Sequence, residues 1–190
     1  MRRRDIILIS DVDEIPNPEL LKNIKQRKKI IQRNIFYALV QDYYCYNLMS
    51  KNCTPWDSSK IFTYDFYYER IKDYPTDSYV LTNMRFCYYC YVIENGGWHL
   101  SYFGNQDFIQ NKLKQFSHQE FNDEERRNNN YITSCITNHI NIINKKTMYN
   151  IPIEENPNLP PKHEEHAHFL YNTVDERPFL YHFHRNILNT

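Results

Sequence analysis

Glycine is nearly absent: three in 190 residues, Gly96, Gly97 and Gly104, all within nine positions of one another. That scarcity excludes a P-loop and a dinucleotide-binding glycine fingerprint, because both need backbone that only glycine supplies. Net charge is also absent, with 23 basic and 23 acidic residues. A nucleic-acid binder that works by neutralising phosphates is therefore not expected. Arg2-Arg3-Arg4 and Arg27-Lys28-Lys29 read as solvated charge. No apolar run approaches the roughly 20 residues that span a bilayer. The four apolar residues after Asp5 are too few for a signal-peptide core. The expectation is a chain with no membrane segment and no targeting of its own, cytoplasmic by default. Disulfide scaffolding is not expected either, since the five cysteines (45, 53, 87, 90 and 135) are odd in number and irregular in spacing. Cys87 and Cys90 lie in an apparent strand over 86–93, where residues three apart face opposite sides and share a zinc poorly.

What is present begins with Ile6-Ile7-Leu8-Ile9, a short all-apolar run that reads as a strand buried on both faces. It leads into Ser10-Asp11-Val12-Asp13-Glu14-Ile15-Pro16. Three carboxylates within four residues repel one another unless a cation neutralises them. In extended backbone Asp11 and Asp13 point to the same side, which suits a divalent metal and a phosphorylated ligand. Asn17-Pro18-Glu19 then opens a helix expected to reach about residue 32. The acidic motif thus falls between a strand and a helix, where α/β folds hold ligands.

Residues 34–48 and 60–71, rich in Tyr, Phe and Ile, read as strands, and 79–93 as another strand or strand pair. Asn95-Gly96 reads as a hairpin turn. Asn105 is expected to cap a helix through about residue 116, with Phe108, Ile109, Leu113 and Phe116 inward. A further helix is expected over 124–145 and an irregular tail, packed on the body, over 151–190. The histidines of that tail (163, 166, 168, 182 and 184) do not match a zinc-protease spacing.

Ile9-Ser10-Asp11-Val12-Asp13-Glu14-Ile15-Pro16, Gly96-Gly97-Trp98-His99-Leu100-Ser101-Tyr102-Phe103-Gly104 and Phe116-Ser117-His118-Gln119-Glu120-Phe121-Asn122, in that order, resemble glycosyltransferase family 17. This is the β-1,4-mannosyl-glycoprotein 4-β-N-acetylglucosaminyltransferase family. The resemblance covers roughly residues 5–185. It implies one GT-A-like α/β domain over 1–190, a mixed sheet flanked by helices. It also implies inverting transfer of GlcNAc from UDP-GlcNAc to a mannose-containing, N-glycan-like acceptor, assisted by Mn²⁺ or another divalent cation. Asp11 and Asp13 would be the metal-binding pair, with Glu14 beside them.

An inverting displacement needs a general base for the acceptor hydroxyl. Glu120 and Asp107 are the candidates, ahead of Glu14. His99 and His118 are candidates for a metal or diphosphate contact, and Trp98 and Tyr102 for stacking on a sugar.

Only about ten residues precede the acidic motif, so the family's nucleotide-binding strands are expected to be missing at the N-terminus, and a second chain could supply them. The leading alternative is a non-catalytic remnant or carbohydrate-binding module. A haloacid-dehalogenase phosphatase would need a later acidic pair that the sequence lacks.

Overall fold

The computed structural model describes residues 1–71, 83–86 and 90–166. In chain order it runs β1 (Ile6–Ile9), β2 (Glu14–Pro16), α1 (Pro18–Lys25), β3 (Tyr37–Cys45), β4 (Ser50–Lys51), β5 (Lys60–Thr63) and α2 (Tyr64–Arg70). β6 (Tyr91–Ser101), α3 (Gln106–Gln115), α4 (Asn129–Thr137) and β7 (Tyr149–Asn150) follow. The chain is mixed α/β, a sheet flanked by helices. It divides into two compact units, Met1–Asp42 with Pro55–His99, and Tyr43–Thr54 with Leu100–Thr190. Among the described residues no helix is long and apolar enough to cross a membrane.

In the first unit β1 pairs antiparallel with β5, β5 with β3, and β2 with β6, while β6 also pairs β3. Ile7 and Ile9 pack beside Phe36, Phe62 and Ile71. Ile6 and Leu8 are each 37% exposed. β1 is therefore one-sided, not buried on both faces as its composition suggested: four apolar residues in a row alternate faces whatever their chemistry.

Asn17 caps α1 as expected, accepting from the Glu19 amide at 3.0 Å. Leu20 then packs with Leu39, Ile61 and Ile93. The helix stops at Lys25 instead of residue 32. Lys28 N–H reaches Asn23 O and Arg27 N–H reaches Ile24 O, the pair of bonds that closes a helix through a left-handed residue. Arg27 takes that conformation, with φ 59°.

The expected strand over 60–71 is half helix. Thr63 ends β5 and caps α2, its hydroxyl accepting from the Phe66 amide at 3.3 Å. Aromatic residues at helical spacing mimicked a strand there.

The expected hairpin at Asn95-Gly96 does not form. β6 runs unbroken from Tyr91 to Ser101. Asn95 does take a left-handed conformation, φ 55°, but as a kink inside the strand. Asn17 holds the kink, its amide donating to Gly96 O at 2.9 Å and its side chain to Asn95 O at 3.1 Å. Of the expected strand over 79–93, residues 79–82 and 87–89 lie outside the described residues. Asn83–Arg85 form a helical turn instead, and β6 begins only at Tyr91.

In the second unit β3 pairs β4 and β4 pairs β7, all antiparallel. Asn105 caps α3 through the Phe108 amide at 2.9 Å, and Ile109 and Leu113 are buried. α4 covers only part of the expected 124–145. Asn138 turns its side chain back to Ser134 O at 2.9 Å, and His139 takes φ 50°, which ends the helix. Ile140 and Ile143 still pack on the core from beyond it. The fully buried Tyr46 donates to Ile140 O at 2.8 Å and accepts from Ile142 N at 2.9 Å. Burial pushes its phenol far above the usual range, so it stays neutral and keeps both bonds wherever the chain is folded. The tail forms short 3-10 turns at Ile153–Glu155 and His163–His166. Cys87, His168, His182 and His184 lie outside the described residues.

Candidate functional site

Two of the sequence motifs meet in the first unit. β2 and β6 pair with Glu14 opposite His99, Ile15 opposite Trp98 and Pro16 opposite Gly97. Residues 85 positions apart in the chain thus become neighbours on adjacent strands.

Glu14 anchors the arrangement. It is fully buried and accepts hydrogen bonds from Trp56 Nε1 at 2.6 Å, Ser59 Oγ at 2.7 Å and the Asp11 amide at 3.0 Å. The Arg85 guanidinium completes the set, pairing with Glu14 on one side and Asp11 on the other. Burial by itself would lower Arg85's pKa, but the hydrogen bonds and charges of Asp11 and Glu14 outweigh it and hold the pKa above the ordinary arginine value. The cation that the clustered carboxylates call for is thus partly supplied by the protein.

Asp11 and Asp13 do not share one extended strand face. The Glu14 amide donates to Asp11 O at 3.1 Å, so residues 11–14 form a turn between β1 and β2. Asp11 keeps 58% of its side chain exposed beside Arg85. Asp13 is buried, with Oδ2 3.5 Å from His99 Nε2, a charged pair only when the imidazole holds a proton. The His99 ring lies against Trp56, centroids 4.4 Å apart.

Trp98 is buried at 3% exposure and belongs to the core. A sugar-stacking role for it fails on access, because Trp98 alternates with the β6 positions that face the carboxylates. Glu14, carried from the sequence as the third choice of base, is held by four donors and has no lone pair directed outward for a proton.

Asp107, His118 and Glu120 fall in the second unit. Asp107 sits exposed in the first turn of α3. His118 Nδ1 and Glu120 Oε1 are 2.9 Å apart on the surface. The Glu120 backbone amide, then His118, hold its carboxyl below the usual range. Tyr102 is also buried, its ring under Lys112 Nζ at 4.7 Å.

Sequence reasoning missed Trp56, Ser59 and Arg85. Trp56 carried a usable signal, being one of only two tryptophans. Ser59 and Arg85 carried none, since nothing local marks a lone serine or arginine as a partner for a distant carboxylate.

Among the described residues no three His, Cys, Asp or Glu side chains come together as a ready-made metal cage. Cations that work on diphosphates are commonly held by one or two carboxylates, with the remaining ligands from phosphate and water. Asp13 and the exposed Asp11 are oxygen donors of that type. No family model, no curated protein and no solved structure matches the chain.

Proposed function

We propose that the chain is an inverting, metal-assisted glycosyltransferase that moves GlcNAc from UDP-GlcNAc to a mannose-containing acceptor. One observation supports this most: β2–β6 pairing sets the acidic turn and His99 side by side, with Glu14 fixing the turn from beneath. Two motifs that resemble those of glycosyltransferase family 17 are thereby joined in one locus. The donor would bind with its diphosphate towards Asp11 and Asp13. A divalent cation held there supplies charge neutralisation for the departing diphosphate. His99, held by Asp13 and Trp56, would hydrogen-bond a phosphate oxygen.

Calorimetric titration with UDP tests the donor half directly. The expected result is binding that requires Mn²⁺ and is lost about 100-fold or more in Asp13→Ala. Equal affinity with Mn²⁺ and with a chelator would remove the metal from the proposal. No UDP binding at all, together with binding of mannose-rich glycan, would favour the second reading, a carbohydrate-binding remnant. The Arg85–Asp11 pair favours that second reading, because it neutralises one of the two donor carboxylates without any metal.

A further inference from the structure

The Phe116–Asn122 motif takes no part in the locus around Glu14, yet the second unit builds it as one tied-down surface turn. α3 ends at Phe116, and Gln119–Phe121 form a 3-10 turn. Side-chain amides fasten it: Gln119 Nε2 donates to Phe116 O at 2.6 Å, and Asn122 Nδ2 donates to Gln119 Oε1 at 2.8 Å. The rings of Phe116, His118 and Phe121 form a triangle, with centroids 5.7, 6.2 and 6.4 Å apart. Phe116 packs on the core of the unit, whereas His118 and Glu120 keep 55% and 60% of their side chains exposed. The polar groups beside the rings are acceptors. A carboxylate has about four acceptor positions, and that of Glu120 spends two, on its own amide and on His118. His118 Nδ1 carries the proton it gives to Glu120, so Nε2 of the neutral imidazole keeps an unspent lone pair.

We infer that this turn is a saccharide-binding site of the second unit and takes a neutral hexose residue of a mannose-containing glycan. The C–H face of the sugar rests on the ring triangle, and two of its hydroxyls donate to Glu120 and to His118 Nε2. The inference rests on the reading of this chain as a protein that recognises such a glycan. The groups present select that ligand class. A hexose brings several hydroxyl donors and one apolar face, which match exposed acceptors beside aromatic rings. An anion would meet the charge of Glu120. Arg126, 5.3 Å from the Phe121 ring, is already committed to Asp123 and to the carbonyls of Ile142 and Ile143. A quaternary ammonium needs open ring faces around it. Here Arg126 covers one face of Phe121, and Phe116 is turned to the core. A metal ion has no third His, Cys, Asp or Glu to complete a cage among the described residues. Because the turn is fastened by its own amides, little ordering is required when the sugar arrives.

Titration of the whole chain with branched mannotriose, followed by the nuclear magnetic resonance of the backbone amides, tests this. The expected result is saturable shifts concentrated at residues 116–122, with or without Mn²⁺. Glu120→Gln and His118→Ala lie at exposed positions and should keep the parent circular dichroism spectrum. Glu120→Gln is expected to weaken mannotriose binding about tenfold or more, because it removes a charged acceptor. His118→Ala should weaken it in the same direction. Choline in place of mannotriose should leave these amides unmoved. A chain that binds no mannotriose overturns the inference. So does binding that neither variant weakens, or a turn that answers to choline and not to the sugar. A chain that holds mannotriose at this turn but binds no UDP sinks the transferase reading and leaves this site standing.

Discussion

Glu14→Ala is expected to unfold the first unit under conditions where the parent chain is folded. Its carboxylate is fully buried and receives the Trp56 indole, the Ser59 hydroxyl, the Asp11 amide and one side of the Arg85 guanidinium. Removing it leaves three neutral donors unsatisfied, at about 1–3 kcal/mol for each that water cannot reach. It also leaves a buried guanidinium with only Asp11, and breaking a buried ion pair from one side costs about 3–5 kcal/mol. These losses overlap, so the expected total is about 4–6 kcal/mol, a large share of the stability of an ordinary domain. Urea unfolding followed by circular dichroism measures it. Asp11→Ala is the contrast: its side chain is mostly exposed, and a surface pair is worth about 0–1 kcal/mol. If the two variants lose equal stability, Glu14 is not the anchor of the turn.

Gly97→Ala is expected to separate β2 from β6. At φ 134° the residue occupies backbone that L side chains avoid, and an added Cβ would lie 2.0 Å from Ile15 O and 2.8 Å from Asn17 N. Both obstacles are main chain, so no rotamer change relieves them. Strain and overpacking together should cost about 2–5 kcal/mol. The damage has a local signature too. Because Glu14 faces His99 only while β2 and β6 stay paired, the UDP binding proposed above should be lost in the variant even below its melting temperature. Retained UDP affinity in a folded Gly97→Ala chain would detach the site from this strand pair.

The parts of the fold that short-range chemistry controls were legible. Asn17 and Asn105 cap helices as their sequence context indicates, because an N-cap needs only one side chain and the next three amides. The acidic turn and the Gly96–His99 segment stand out in the sequence by residue type alone. Their adjacency was not legible, since strand pairing between residues 14 and 99 leaves no local mark. The misreadings share a cause. Asn95-Gly96 reads as a turn because Asn-Gly favours one, yet a Cβ at residue 96 would sit 2.7 Å from Leu39 Cβ. The glycine there serves close packing of strands, a tertiary demand that dipeptide preference cannot register. Likewise the carboxylate cluster implied a cation, but not that Arg85 would be one.

Glycine scarcity has a consequence for engineering. Arg27, Tyr46, Tyr102, His139, Lys145 and Lys162 carry positive φ in connecting segments and Asn95 at the kink inside β6, conformations where other chains would place glycine. A side chain held in that region costs about 1–2 kcal/mol relative to ordinary helical backbone. Arg27 and Lys145 are surface positions remote in sequence from the acidic turn. Thermal tolerance in this chain is therefore adjustable at helix ends and loops, with the acidic turn left as it is.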